Sequence, residues 1–211
     1  MSQTRGIRYG AAIMVVSGAL TGCSLGPKQT EQAATYDLGS PRAAATSAAI
    51  SATLAVPEVV APAWLSGNGI IYRLNYDNAS RAHAYTLSRW MAPPPALLTQ
   101  RLRSRFAAAS ADGIVTSADG VRADYVLRLE LEDFSQSFDA PASSRVTVRA
   151  RASLVSLANR ALVAQREFAI EQTAPTPDAA GGVQALNAAS EELVESLLNW
   201  TAERLKSVKS K

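Results

Sequence analysis

The chain has 211 residues, of which 47% are hydrophobic, and a formal net charge of +3. That length suits one domain, or a domain with a tail, and the apolar share is enough for a sizeable core. The single cysteine excludes a disulfide framework, and without like-charge blocks or aromatics interleaved with basic residues there is no pattern for nucleic acid.

In chain order, Arg5 and Arg8 precede an apolar run from Ala11 to Leu20, which ends at Leu20-Thr21-Gly22-Cys23. A positive segment, a short apolar segment and a small-residue site make a secretory signal. The run is only about half of the ~20 residues that cross a bilayer as a helix. Cys23 stands where the mature chain would begin, and this arrangement resembles a bacterial lipobox. The resemblance implies a diacylglycerol thioether on Cys23, cleavage after Gly22 and acylation of the new N-terminus. One acyl chain anchors marginally, whereas three hold a protein on a membrane. Arg5 and Arg8 would leave with the signal, so 21 basic residues less these two leaves 19 against 18 acidic ones, a net of +1. The domain reading is therefore a signal over 1–22, a lipidated tether over 23–35 and a folded domain over 36–208.

The tether is polar and aperiodic. Tyr36-Asp37-Leu38 opens the folded part as a short strand, and residues 41–51 read as a loop. Ala52 to Val56 alternates and stops at Pro57, which predicts a strand. Residues 59–64 are irregular, and Gly67-Asn68-Gly69 is a turn. Ile70 to Leu74 is a strand, 76–82 a turn, and Ala84 to Leu87 a third short strand. Pro93-Pro94-Pro95 starts a helix, since proline is tolerated in the first turn. Leu98, Leu102, Phe106 and Ala109 form its buried stripe, with Arg101, Arg103 and Arg105 off it. Asp112-Gly113 ends that helix, and Ile114-Val115 begins a strand.

The second half predicts an antiparallel three-strand meander covered on one face. Tyr125, Leu127, Leu129 and Leu131 alternate with polar residues, and a parity shift toward Phe134 and Phe138 predicts a bulge beyond Asp133. Val146, Val148, Ala150, Ala152 and Leu154 face inward on the next strand, with Arg145, Thr147, Arg149 and Arg151 outward. Ala158-Asn159-Arg160 turns the chain into a strand over 162–172, with Phe168 and Ile170 inward. A final amphipathic helix over 183–208 buries Leu186, Ala189, Leu193, Leu197 and Trp200. The fold class is thus α/β: one domain, a mixed sheet with a C-terminal antiparallel meander, and two main flanking helices.

No chemistry for catalysis is apparent. His83 reads as a solvated loop histidine, no glycine-rich phosphate loop or metal-ligand spacing occurs, and no cofactor is expected. With Cys23 acylated, no thiol remains. The aromatics Tyr72, Tyr76, Tyr85 and Trp90 cluster beside a break in regular structure; core packing is one reading of them. The other is a partner-binding surface of Tyr72, Tyr85, Arg89 and Trp90, because Tyr, Trp and Arg favour interfaces.

The lipobox, Tyr36-Asp37-Leu38, Ile70-Ile71-Tyr72-Arg73, Tyr85, the run Ser88-Arg89-Trp90-Met91-Ala92-Pro93-Pro94 and the long final helix occur in an order that resembles the ABC-type transport auxiliary lipoproteins, the PqiC-like family. The resemblance implies a mixed α/β fold and a non-enzymatic, outer-membrane lipoprotein that faces the periplasm. It implies as partners an MCE-domain periplasmic protein with its ABC permease and ATPase, in a system that moves phospholipids between membranes and supports their integrity. Homo-oligomerisation is compatible with it. Of the site residues only Cys23 carries over. Ser24 in place of aspartate after the anchor points to the outer membrane by the same kind of resemblance. A periplasmic scaffolding or binding lipoprotein is the competing reading, and a lipoprotein hydrolase a weaker one.

Overall fold

A computed structural model describes residues 32–40, 50–111, 113–115 and 119–209. Cys23, the signal and most of the tether lie outside the described residues, as does Asp112. The elements run β1 (Ala34–Tyr36), β2 (Leu54–Ala55), a 3-10 turn (Ala63–Leu65), β3 (Gly69–Leu74), α1 (Asn75–Asn78) and β4 (Ala79–Trp90). They continue with α2 (Pro94–Ala109), β5 (Ile114–Val115), β6 (Tyr125–Ala140), β7 (Ser143–Ser156), β8 (Leu162–Thr173) and α3 (Ala179–Lys209). The expected α/β class, mixed sheet, meander and two main helices are all present.

β6 is the axis of the sheet. Along one side it pairs antiparallel with β7, which pairs antiparallel with β8. Its other side is shared. β2 runs parallel to its start at Tyr125, an isolated bridge joins Val60 to Glu130, and β3 runs parallel to its end at Gln136 to Phe138. β4 then pairs antiparallel with β3, and β1 parallel with β4. The register of β6 against β7 shifts between Leu131 and Asp133, just before the expected bulge. One extra residue there moves the inward set from Leu127, Leu129 and Leu131 to Phe134, Gln136 and Phe138, all buried. The inward residues expected for β7 are all fully buried. Thr147 points outward yet is buried, flanked in register by Ser135 and Glu171.

α2 and α3 share the inner face, where Leu98, Leu102 and Phe106 join Leu186, Leu193, Leu197 and Trp200 in one core. Each large apolar side chain so buried contributes about 1.5–3 kcal/mol. α2 starts as the prolines dictate, with Pro93 at the cap and two prolines in the first turn. α3 begins at Ala179, earlier than the periodicity suggested, because Asp178 caps it: its Oδ1 accepts the Gly181 N–H at 2.8 Å. The buried hydroxyls of Ser190 and Thr201 donate back to the Leu186 and Leu197 carbonyls, each at 2.7 Å, so burial leaves neither unpaired.

Three local expectations differ from the structure. Arg101 and Arg105 were expected outside the buried stripe of α2, yet both are buried. They lie where α2 meets α3. Arg101 pairs with Glu191 and donates to the Leu38 and Gly39 carbonyls, and Arg105 pairs with Glu195 at 2.6 Å. Burial pulls the Arg101 guanidinium below the usual arginine range, while Asp37 works against that. The strand expected over 84–87 is instead the twelve-residue β4. The short strand expected at Tyr36 to Leu38 sits at Ala34–Tyr36, leaving the Leu38 carbonyl for Arg101.

Candidate interaction surface

β3 and β4 form a hairpin closed by α1, where the Asn78 side chain accepts the Ser80 N–H at 3.0 Å. Asn75 Nδ2 donates to Asp139 at 2.9 Å and ties the hairpin tip to the end of β6. The register sets Tyr72 opposite His83 on one side and Gln136 on the other, so these three share a face. The Tyr72 ring lies 4.5 Å from that of Tyr85, 5.1 Å from His83 and 5.9 Å, edge-on, from Phe138. His83 is therefore mid-strand and half-buried rather than a solvated loop residue; Tyr72 covers one side of its ring.

A polar thread runs beneath the rings. Tyr85 Oη donates to Gln136 Oε1 at 3.0 Å, and Gln136 Nε2 donates to Ser144 Oγ at 2.8 Å and to the Asp178 carbonyl at 3.2 Å. Gln136 is 0% exposed, so these bonds offset its desolvation. Burial, with smaller contributions from Tyr72 and Asp178, pushes the Tyr85 phenol well above the usual tyrosine range. It stays a neutral hydrogen-bond donor across physiological pH. Gly182 explains how α3 comes so close: a Cβ there would stand 2.2 Å from Gln136 Oε1.

The residues expected to form one partner-binding patch are divided. Tyr72 and Tyr85 stand together, half-buried, on the helix-bearing side. Trp90 is 1% exposed and packs edge-to-face on Phe134 at 5.6 Å, so its ring belongs to the core and that assignment is corrected. Its side chain points to the inner face of the sheet, and β1 pairs beside it, setting Tyr36 next to Trp90. Arg89, one residue earlier, is exposed on the opposite face. Tyr76 is exposed on α1. Sequence reasoning missed Gln136 and Phe138 as members of the ring cluster; the parity shift after Leu131 was the available signal. Among the described residues, no group of three or more His, Cys, Asp and Glu converges as metal ligands do, and no helix is long and apolar enough to cross a membrane.

Residues 36–197 match the ABC-type transport auxiliary lipoprotein component family. This chain belongs to that family. The match spans every element from β3 to β8 and most of α3. Among solved structures, the DUF330 protein XCC0632 of Xanthomonas campestris has the same fold at a TM-score of 0.68 and 19% identity, covering 85% of this chain and 96% of its own. A second, an uncharacterized protein, aligns at a TM-score of 0.60 and 18% identity, covering 80% and 97%. No curated protein matches the sequence. The family is one of lipoproteins that assist ABC-type transport.

Proposed function

We propose that this protein is the non-enzymatic, lipid-anchored accessory of an intermembrane phospholipid transport system, held at the periplasmic side of the outer membrane through acylated Cys23. Its partners are an MCE-domain periplasmic protein and the ABC permease and ATPase behind it. The observation that carries this reading is the family match over residues 36–197, standing behind a lipobox that ends at Cys23. The site geometry supports a binding role. The one histidine is stacked on Tyr72, and Tyr85 is held neutral by burial, which suits packing and recognition better than proton transfer. The Tyr72–Tyr85 pair is the partner-facing element in this reading, because exposed edges of paired aromatics give area at low entropy cost.

Two measurements test it. Labelled palmitate should enter the wild-type protein and not Cys23→Ala, and the wild type should sediment with outer-membrane markers on a sucrose gradient. Equal label in both, or migration with the inner membrane, overturns the anchor or its location. Affinity purification from membranes should recover the MCE-domain protein, with Tyr72→Ala reducing recovery while the protein stays folded; Tyr85→Ala should reduce recovery and also lower the melting temperature, because it strands buried Gln136. Recovery of peptidoglycan-associated proteins instead would favour an envelope scaffold.

A further inference from the structure

Among the described residues no helix packs on the face of the sheet opposite α2 and α3, and its two halves differ. On the β6–β8 half, outward arginines meet carboxylates: Arg151 with Glu130 at 2.5 Å, Arg145 with Asp139 and Glu171. On the other half, β1, β3, β4 and the 3-10 turn contain no Asp or Glu, and they carry Arg73, Arg81 and Arg89. Large apolar side chains stand among these cations. Trp64 is 41% exposed, Leu87 46% and Met91 64%. Trp64 lies over the Arg73 guanidinium at 5.6 Å. Ile71 shares the outward side of β3 with Arg73, and Leu87 and Arg89 point away from the buried Trp90. Exposed apolar groups rimmed by polar ones mark an interaction site.

We propose that this corner, Trp64, Ile71, Arg73, Leu87, Arg89 and Met91, rests on the anionic phospholipid surface of the membrane that anchors the protein. The inference depends on the lipid anchor proposed above. Two observations select a membrane rather than a protein as occupant. The first is reach. Cys23 precedes Ala34 by eleven residues, which span at most about 36–40 Å at ~3.3–3.6 Å each. The chain from the anchor enters the fold as β1, whose residues pair with Ser88, Arg89 and Trp90. The edge of the sheet that carries this corner is thus the first that the chain from the anchor meets, and β8 lies five strand spacings, about 24 Å, further across. The second is chemistry. An indole sits well at the headgroup level. Leu and Met enter the acyl boundary. Guanidinium groups match lipid phosphates bidentately while their stems lie along apolar surface. Carboxylates, which anionic lipid would repel, are missing from these elements.

The test uses the mature lipoprotein, with acylation of Cys23 read by mass spectrometry. Because the acylated Cys23 offers no thiol, Leu87→Cys and, separately, Ala169→Cys on the outer side of β8 each take one nitroxide label. The labelled proteins are reconstituted into vesicles of phosphatidylcholine, alone or with one quarter phosphatidylglycerol. At residue 87, oxygen accessibility should exceed nickel-chelate accessibility several-fold in the anionic vesicles and less so without phosphatidylglycerol. The residue 169 label should read as aqueous in both. Arg73→Glu with Arg89→Glu should return the residue 87 label toward water. An aqueous label at 87 on acylated protein overturns this inference and leaves the anchor standing. So does a label at 87 that only the MCE-domain protein immobilises, which would make the corner a protein interface. An unacylated Cys23 refutes the anchor, and the inference falls with it.

Discussion

Arg105 on α2 donates a 2.6 Å hydrogen bond to Glu195 on α3, one helical turn along from the pairing of Arg101 with Glu191. The two pairs clamp the helices side by side, but they differ in burial. The Arg101 side chain is 4% exposed and its Glu191 partner 23%, whereas Glu195 is 39% exposed. Losing one partner of a buried pair strands a charge, which costs about 3–5 kcal/mol. The Arg105 side chain is 9% exposed, so Glu195→Ala also leaves a buried cation, but its carboxylate partner is already half in water and its loss costs less. Glu191→Ala should therefore lower the urea midpoint more than Glu195→Ala. Equal midpoints for the two variants would show that the inner pair is not stranded by the change.

Trp90 should behave as core. Trp90→Ala removes a fully buried indole that packs on Phe134, and a loss of about 3–5 kcal/mol is expected. Arg89→Ala, one residue away on the exposed face, should stay within about 0.5 kcal/mol of wild type. Thermal melts of the two variants make the comparison. A Trp90→Ala protein with a wild-type melting temperature would return that residue to the surface.

The meander was legible in the sequence because each of its strands is buried on one face and wet on the other, so apolar residues alternate. β4 was not. Its outward Ala82 and Ala84 and its exposed Ser80 and Thr86 carry no contrast with the half-buried His83 and Tyr85 opposite, and alternation has no signal there. The parallel pairing of β3 with β6 was beyond local pattern, since its partners are far apart in the chain. The apolar stripe leaves Arg101 and Arg105 off the buried face of α2; the acids that pair with them lie on a helix ninety positions later, which no spacing rule in α2 could reveal. Of the expected partner patch, Tyr72, Tyr85 and Arg89 reach the surface and Trp90 does not, because its ring faces the core and packs on Phe134.

Gly182→Ala tests the close approach of α3 to β6. The added methyl would meet Gln136 Oε1, which is held by Tyr85 and cannot swing away freely. Although alanine is the better helix former by about 1 kcal/mol, the variant should be less stable than wild type. Pairing it with Gln136→Ala should recover part of the loss. A Gly182→Ala protein that melts higher than wild type would mean the thread beneath the rings can shift at no cost.

Asp178 links the start of α3 to pH. Its carboxylate accepts the Gly181 N–H and the Thr176 hydroxyl, each at 2.8 Å, and these bonds hold it below its usual value of 3.8. A depressed carboxylate contributes stability above its unfolded value and loses it as pH falls through the folded one. Asp178→Ala should cost about 1 kcal/mol at neutral pH, as for loss of an N-cap. The gap to wild type should narrow as the medium is acidified below 3.8. A gap independent of pH would assign the cost to something other than the charged cap.

The shared side of β6 has a consequence for the order in which the chain can fold. β6, β7 and β8 follow one another through short turns, so their pairings close small loops and are fast to find. β2 and β3 come earlier in the chain, yet they gain their β6 partners only when Tyr125 and Gln136 arrive. A chain delivered N-terminus first thus exposes its Ile70–Leu74 strand and the apolar residues of α2 before the strand that completes the sheet is present. Unpaired edges and apolar surface at that stage invite aggregation. The expected order is therefore the C-terminal meander and α3 first, with the N-terminal half folding onto them. Truncations that remove α3 should fail to yield a soluble N-terminal half, whereas deletion of β1 should leave a core that still assembles.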